Sequence, residues 1–174
     1  MYYMNSPSIR LLRILILTTF LLSILISCTN DQSFKCTRVV DGDTIKLSNG
    51  ERVRLIGVDT PETKRPNKPV EYFGKEASAF TKKMVEGKNV RLTYDQQQRD
   101  EYGRLLAYVY LMDGTFLNAE LIKQGYGNAY TRHPFKYMDE FRQYEKEARK
   151  AKRGLWADKP AKEWHYDRVK KKYR

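Results

Sequence analysis

The first pattern along the chain is an apolar run close to its start. Residues 14–26 are apolar apart from two threonines and one serine, Arg10 and Arg13 precede them, and no acidic residue occurs before Asp31. A basic segment, a short apolar run and small residues at its end are typical of a secretory signal peptide. The run is shorter than the roughly 20 residues that a membrane-spanning helix needs. We therefore predict a cleaved leader over residues 1–27.

The end of this leader, Leu25-Ile26-Ser27-Cys28, is similar to a bacterial lipobox, in which cleavage leaves an N-terminal cysteine that carries lipid. It predicts an exported protein, either secreted or held on the extracytoplasmic side of a bacterial membrane through lipidated Cys28. The alternatives are an ordinary signal peptide, an uncleaved anchor, and a disulfide between Cys28 and Cys36. The chain has only two Cys and two His, which excludes a disulfide framework and argues against a Cys/His zinc site.

Beyond a short tether over residues 28–34, the pattern changes to short strands separated by turns. Residues 36–47 are rich in β-branched side chains, Ser48-Asn49-Gly50 is a strong turn signal, and residues 52–58 return as a second strand. The same alternation predicts three further strands, over residues 90–94, 105–111 and 115–117.

Three other stretches carry helical spacing. Residues 73–84, 118–124 and 137–151 place apolar side chains three and four positions apart, and a glycine follows each stretch within three residues. Trp156 is expected to fold back onto the core. Short, hairpin-linked strands favour a closed antiparallel barrel over a parallel sheet. The predicted fold is therefore α+β, mainly β: a five-stranded OB-type β-barrel with three α-helices.

Charge then narrows the class of partner. The chain has 33 Lys and Arg against 21 Asp and Glu, a net charge of +12, which favours a polyanion such as nucleic acid, anionic lipid or an acidic polymer. Seven of these charges lie in residues 145–174. Hydrophobic residues make up 41% of the chain, which is enough for a packed interior and excludes wholesale disorder. We predict one domain over residues 35–157 and a basic tail over residues 158–174.

Three polar segments interrupt strands where a fold would prefer apolar residues. They are Asp41-Gly42-Asp43-Thr44, Arg54 with the following Asp59-Thr60-Pro61-Glu62, and Tyr102-Gly103-Arg104. Carboxylates without His or Cys suit a hard cation such as Ca²⁺ or Mg²⁺, and arginines suit phosphate. A carboxylate near a metal can also activate water. Together the segments match a metal-assisted phosphodiesterase, although each one alone is also typical of a turn.

The register of the predicted hairpin indicates which of these segments lie close together. A turn at residues 48–50 places Asp43 opposite one of the two residues that follow Arg54, and therefore beside Arg54. The same register leaves Asp59 three or four residues further along, about 10–13 Å away at about 3.3 Å per residue. A bulge at Gly42 or curvature of the barrel would be needed to bring the two aspartates together.

Four motifs, in order along the chain, resemble the thermonuclease (staphylococcal nuclease-like) family. They are Asp41-Gly42-Asp43-Thr44, Arg54-Leu55-Ile56-Gly57-Val58-Asp59-Thr60-Pro61-Glu62-Thr63, Gly74-Lys75-Glu76-Ala77-Ser78-Ala79-Phe80-Thr81, and Tyr102-Gly103-Arg104 with Leu106-Ala107-Tyr108. The resemblance covers residues 34–156. It implies an OB-type barrel with three helices that cleaves DNA and RNA with Ca²⁺, breaks the P–O5′ bond and leaves 3′-phosphates.

The resemblance also implies a role for each matched residue. Asp43, Asp59 and the backbone carbonyl of Thr60 would bind Ca²⁺; Glu62 would position or deprotonate the attacking water; Arg54 and Arg104 would clamp the phosphate; Tyr102 and Tyr130 would line the nucleotide pocket; and Asp41 would support the ligands. The chain departs from the best-known members at Glu101, where they carry Lys, and at Arg132, where they carry Tyr. These departures bear on nucleotide affinity and remove no catalytic group.

Two other functions compete with an endonuclease. One is an OB-fold protein that binds nucleic acid without cleaving it, which the retained Asp, Glu and Arg residues argue against. The other is a basic peripheral membrane protein, which would explain Cys28 and the tail but not the acidic residues. We expect the protein to be monomeric.

Overall fold

The computed structural model describes residues 33–63 and 69–157. The predicted leader, Cys28 and the basic tail therefore lie outside the described residues. Within the described ranges, no helix combines the length and the apolar character needed to cross a membrane. The first strand begins at Ser33, so the last two residues of the predicted tether belong to the barrel.

Short elements follow one another through the described part of the chain, and five of the strands close into a barrel. In chain order they are β1 (Ser33–Asp41), β2 (Thr44–Leu47), β3 (Arg52–Leu55), β4 (Val58–Asp59), α1 (Gly74–Val85), β5 (Asn89–Thr93), β6 (Leu105–Leu111), α2 (Leu117–Lys123), β7 (Asn128–Ala129), α3 (Met138–Lys150) and a 3₁₀ turn (Gly154–Trp156). The barrel order is β1-β2-β3-β6-β5, and β4 pairs with β7 in a separate two-stranded ribbon.

The predicted five-stranded barrel with three helices is confirmed, but its strands differ in two places. Residues 36–47 form two paired strands, because the chain turns back at Gly42 and Asp43. Residues 115–117 do not add a barrel strand, since Phe116 makes one isolated bridge to Tyr110 and Leu117 already begins α2. The purely antiparallel prediction is also wrong, because β3 and β6 pair in parallel. Their long connection, which includes α1 and β5, permits that direction.

Alternation along the strands fills the barrel with branched side chains. Val39, Ile45 and Val53 are at most 1% exposed, whereas their neighbours Lys46 and Arg52 point outward and are exposed. This period of two is what a sheet with one buried face requires.

The segment after α3 folds back as predicted. Trp156 is only 8% exposed and packs with Leu155 and Ala148 in a second apolar cluster, against Phe73.

A sharp reversal at Ile56 and Gly57 separates β3 from β4, which the sequence predicted as one strand. Gly57 has φ +73°, and a Cβ there would lie 2.6 Å from two ring carbons of Phe135. Only glycine adopts this backbone without strain and leaves room for the ring. Buried Asn118 fixes the reversal by donating from Nδ2 to the carbonyl of Ile56 at 2.9 Å, while its Oδ1 accepts from the N–H of Val109 at 2.9 Å.

We predict that Gly57→Ala lowers the free energy of unfolding by about 2–4 kcal/mol, because it adds a core clash to left-handed backbone strain. Gly50→Ala is the matched control, since Gly50 has φ +88° but nothing lies within 4 Å of the position that an added Cβ would take. That variant should lose only about 1 kcal/mol. Urea unfolding of both variants measures the difference, and equal losses would contradict the steric role of Phe135.

Candidate active site

The guanidinium of Arg54 is the centre of the site. Its Nη1 donates to the carbonyls of Leu55 at 2.9 Å and Val58 at 2.6 Å, so it spans the reversal between β3 and β4. Its Nη2 lies 3.2 Å from Oδ2 of Asp43 and 3.7 Å from Oδ1 of Asp59. One side chain therefore holds the turn and brings both predicted carboxylates together.

Asp43 is also tied to the strand end that carries Asp59. Its Oδ2 accepts hydrogen bonds from the N–H of Thr60 at 3.0 Å and from the Thr60 hydroxyl at 3.2 Å, and its Oδ1 accepts from the hydroxyl of Thr44 at 3.0 Å. The hairpin register is the predicted one, because Thr44 pairs with Arg54. Asp43, Asp59 and Thr60 are thus neighbours, as the resemblance implied.

Asp43 and Asp59 come close together through a reversal of the chain, and not through the bulge at Gly42 or the barrel curvature that the sequence suggested. The reversal at Gly57 turns the chain back, so that Asp59 never continues along the ladder. Gly42 contributes space, since a Cβ on it would lie 2.6 Å from Oγ1 of Thr60. Two glycines far apart in sequence therefore allow the close approach.

Asp41 connects the loop of Gly42 with the loop of Thr63. Its Oδ1 accepts from the N–H of Gly42 at 2.9 Å and from the hydroxyl of Thr63 at 3.0 Å, which joins the two loops. Buried Thr81, on α1, donates to the carbonyl of Gly42 at 2.6 Å. Sequence reasoning missed Thr81, because its position on the helix indicates only a core-facing residue.

Glu62 lies three residues after Asp59, on a loop held by Glu71. The N–H of Glu62 donates to Oε2 of Glu71 at 3.0 Å, and the N–H of Glu71 donates back to the carbonyl of Glu62 at 3.0 Å. Sequence reasoning also missed Glu71, which lies in a segment without periodicity. This reciprocal pair fixes the backbone that carries Glu62.

Arg104 is held by an acid that the sequence analysis did not single out. Its Nε lies 2.7 Å from Oδ2 of Asp100, and its N–H donates to Oδ1 of the same residue at 3.0 Å. Burial acts to raise the pKa of Asp100, but the hydrogen bonds and charge of Arg104, with the N–H of Tyr102, outweigh it and lower that pKa. Asp100 is therefore ionised at neutral pH, and it holds the guanidinium in place. The four-residue spacing between Asp100 and Arg104 is the sequence signal from which this ion pair could have been predicted.

The two predicted tyrosines lie on separate loops. Tyr102 is 75% exposed, with its ring centroid 5.4 Å from Cζ of Arg104. Tyr130 follows β7, and its N–H donates to the carbonyl of Gly57 at 2.9 Å, which places it at the reversal that carries Asp59. Both residues therefore flank groups of the site. Glu101 and Arg132, where the chain departs from the family pattern, lie close to them in sequence.

The oxygen atoms that surround Arg54 are of the kind that a hard cation prefers as ligands. Within the described ranges, no three His, Cys, Asp or Glu side chains form a metal-binding group. Asp43 and Asp59 nevertheless bring two carboxylates to one point, and carboxylate and main-chain oxygens are the ligands of Ca²⁺ and Mg²⁺. The residues present thus fit a divalent cation by donor type.

Arg54 lies on barrel strand β3, Asp43 in the turn before β2, Asp59 on β4 outside the barrel, and Arg104 directly before β6. Carboxylates and arginines grouped in this way on a closed barrel are typical of phosphodiester-cleaving enzymes. The profile described as "Staphylococcal nuclease homologue" matches residues 52–158. The thermonuclease of Staphylococcus hyicus is 46% identical over 137 residues, covering 76% of this chain and 80% of that protein. The thermonuclease of Staphylococcus intermedius is 50% identical over 129 residues, covering 72% and 76%. Endonuclease YncB of Bacillus subtilis is 45% identical over 126 residues, covering 69% and 59%.

The chain belongs to the staphylococcal nuclease family, and it is a nuclease. The family assignment from the four sequence motifs is thereby confirmed.

Proposed function

We propose that this nuclease is a Ca²⁺-dependent endonuclease that hydrolyses phosphodiester bonds of DNA and RNA to 3′-phosphate products. The observation that carries the proposal is the contact of one Arg54 nitrogen with both Asp43 and Asp59, at 3.2 and 3.7 Å. It concentrates opposite charges at one point, as metal-assisted phosphoryl transfer requires. The names thermonuclease and endonuclease among its relatives support the same reaction.

Each group at the site has a role in this proposal. Asp43, Asp59 and the carbonyl of Thr60 would hold Ca²⁺, which supplies positive charge to polarise the phosphate when bound. Glu62 positions a water molecule or takes its proton, and the water oxygen attacks phosphorus as the P–O5′ bond breaks. The leaving O5′ takes a proton from a solvent water molecule, and the phosphate remains on the 3′ side.

The arginines and tyrosines act on the substrate itself. Arg54 and Arg104 donate hydrogen bonds to the non-bridging oxygens and offset the negative charge that grows in the pentacoordinate transition state. Asp100 keeps the Arg104 guanidinium oriented for that task. Tyr102 and Tyr130 line the nucleotide pocket, where stacking on an exposed ring is worth about 1–3 kcal/mol per base.

The rival function is nucleic-acid binding without cleavage. An OB-type barrel that only binds needs basic and aromatic groups but has no use for paired carboxylates beside a phosphate-binding arginine. The contacts of Asp43 and Asp59 with Arg54 therefore favour the enzyme.

Metal dependence gives the direct test. We predict that the purified full chain degrades single-stranded DNA and RNA in the presence of Ca²⁺. Excess chelator should stop both reactions, because it removes the cation that offsets the negative charge of the phosphate. Asp43→Asn should lose activity at all Ca²⁺ concentrations that support the parent chain. Degradation that survives chelation would refute the metal role, and binding without products would favour the rival function.

Arg104 gives a second prediction. Arg104→Ala should lower kcat by about 10²-fold or more, as removal of one transition-state donor does. Asp100→Ala should cause a smaller loss of about 10-fold, because the guanidinium remains but is no longer held. Arg142→Ala is the control, since Arg142 lies on α3 and pairs there with exposed Asp139. Steady-state kinetics on an oligonucleotide measure all three, and full activity of Arg104→Ala would contradict its role.

We further propose that the chain is exported, monomeric and anchored through lipid on Cys28. Cys36 disfavours the competing disulfide, because it is fully buried with a free thiol, and burial raises its pKa to about 11. Mass spectrometry of the protein from membranes should find a mature N-terminus at Cys28 that carries the mass of acyl chains. Cys28→Ser should appear in the soluble fraction. An unmodified Cys28 would refute lipid anchoring.

A further inference from the structure

Three basic side chains form a row across the outer face of the barrel. Arg38 of β1 pairs with Lys46 of β2, and Lys46 pairs in turn with Arg52 of β3. All three are exposed, whereas Val39, next to Arg38, is buried in the core. The row therefore crosses three neighbouring strands at one level. We call Arg38, Lys46 and Arg52 the basic row.

The basic row is an unfavourable arrangement for the protein alone. Like charges that face each other directly across antiparallel strands destabilise a sheet. In the described part of the chain, none of the three side chains has an ion-pair partner. Glu51, which directly precedes Arg52, is engaged by Arg99 through two contacts of 2.8 and 3.1 Å.

The basic row is continuous with the site. Arg52 lies two residues before Arg54 on the same strand face, about 7 Å along β3. In the parallel register of β3 and β6, Val53 pairs with Leu105, so Arg52 and Arg104 each directly precede the first paired residue of their segment. Arg52 thus lies next to both arginines assigned to the phosphate. Arg38 is two strands further, about 10 Å across the sheet.

We propose that the basic row is a phosphate-binding track that holds the single-stranded nucleic acid flanking the scissile bond. The proposal rests on the proposed function, because the track extends the site assigned to the scissile phosphate. A groove of basic side chains that follows the backbone is the usual means of holding single strands without sequence preference. An anionic membrane would also attract the row, but it would meet the carboxylates of Asp43 and Asp59 at the row's end. A single strand can pass along the row with one phosphate at those groups.

Counterion release makes the track measurable. Each phosphate contact on a single strand contributes about −0.7 to the slope of log affinity against log salt. Removal of three contacts should therefore reduce the slope for a long oligonucleotide by about 2. A dinucleotide with a single phosphodiester places its one phosphate at the site and has no further phosphate for the row, so its kinetics should stay unchanged.

The test compares two variants of the full chain with the same loss of charge. Arg38→Gln/Lys46→Gln/Arg52→Gln removes the basic row, and Lys83→Gln/Lys146→Gln/Lys150→Gln removes three exposed charges from α1 and α3. Cleavage of a 20-nucleotide single strand and of a dinucleotide is followed over a range of salt. Binding of a labelled 20-mer is measured by fluorescence anisotropy with chelator present. Thermal unfolding checks that both variants fold.

The row variant should raise KM for the 20-mer by about 10-fold or more at low salt, with kcat and the dinucleotide reaction unchanged. The control variant should cause a much smaller change, and Arg38→Lys/Arg52→Lys should keep the parent slope. Equal effects of row and control variants would overturn the track. So would a row variant that loses binding to phosphatidylserine vesicles but not to the 20-mer. If the parent chain cleaves neither substrate, the proposed function fails, and the anisotropy comparison still decides the track.

Discussion

The site depends on one guanidinium. Arg54 donates to the carbonyls of Leu55 and Val58, and the same group faces the carboxylates of Asp43 and Asp59. Two carboxylates that face the same guanidinium repel each other, and the carbonyls of a tight reversal need donors. The arginine meets both needs with its two terminal nitrogens. Because its side chain is only 16% exposed, its charge would be costly without these partners. Fold and site are therefore stabilised by the same contacts.

The strand that carries Asp59 is short and needs support from outside the barrel. β4 has only two residues, and its pairing with β7 is secured from α3. Glu145 accepts from the N–H of Ala129 in β7 at 3.0 Å and also pairs with Arg149, whose guanidinium lies 3.7 Å from the ring centre of Trp156. The carboxylate of Asp59 is thus positioned by a series of contacts that ends at the last described segment. Sites supported in this way are held more closely than sites on free loops.

The structural features that depend on neighbouring residues could be predicted from the sequence. The turn at residues 48–50 sets the register that places Asp43 beside Arg54, and this followed from turn signals alone. The reversal at Gly57 could not be predicted, because the ring of Phe135 that makes glycine necessary comes from a distant loop. The parallel pairing of β3 with β6 is likewise a tertiary property with no local signal. Asp100 was detectable in principle from its spacing to Arg104, but the same spacing is common among surface ion pairs.

Net charge and charge arrangement lead to different conclusions about the substrate. The surplus of +12 belongs mostly to the two ends of the chain, and residues 28–144 carry a surplus of only +3. The electrostatic field near the surface comes mainly from charges within a Debye length of about 8–10 Å. A barrel with little net charge therefore attracts a polyanion only where basic side chains are clustered. The strand register separates basic from acidic side chains. Arg38, Lys46 and Arg52 face one another, whereas Asp43 and Asp59 both contact Arg54. The repulsion within the basic row has no value for folding. The row suits a ligand that is negative along its length and must present one phosphate to the carboxylates.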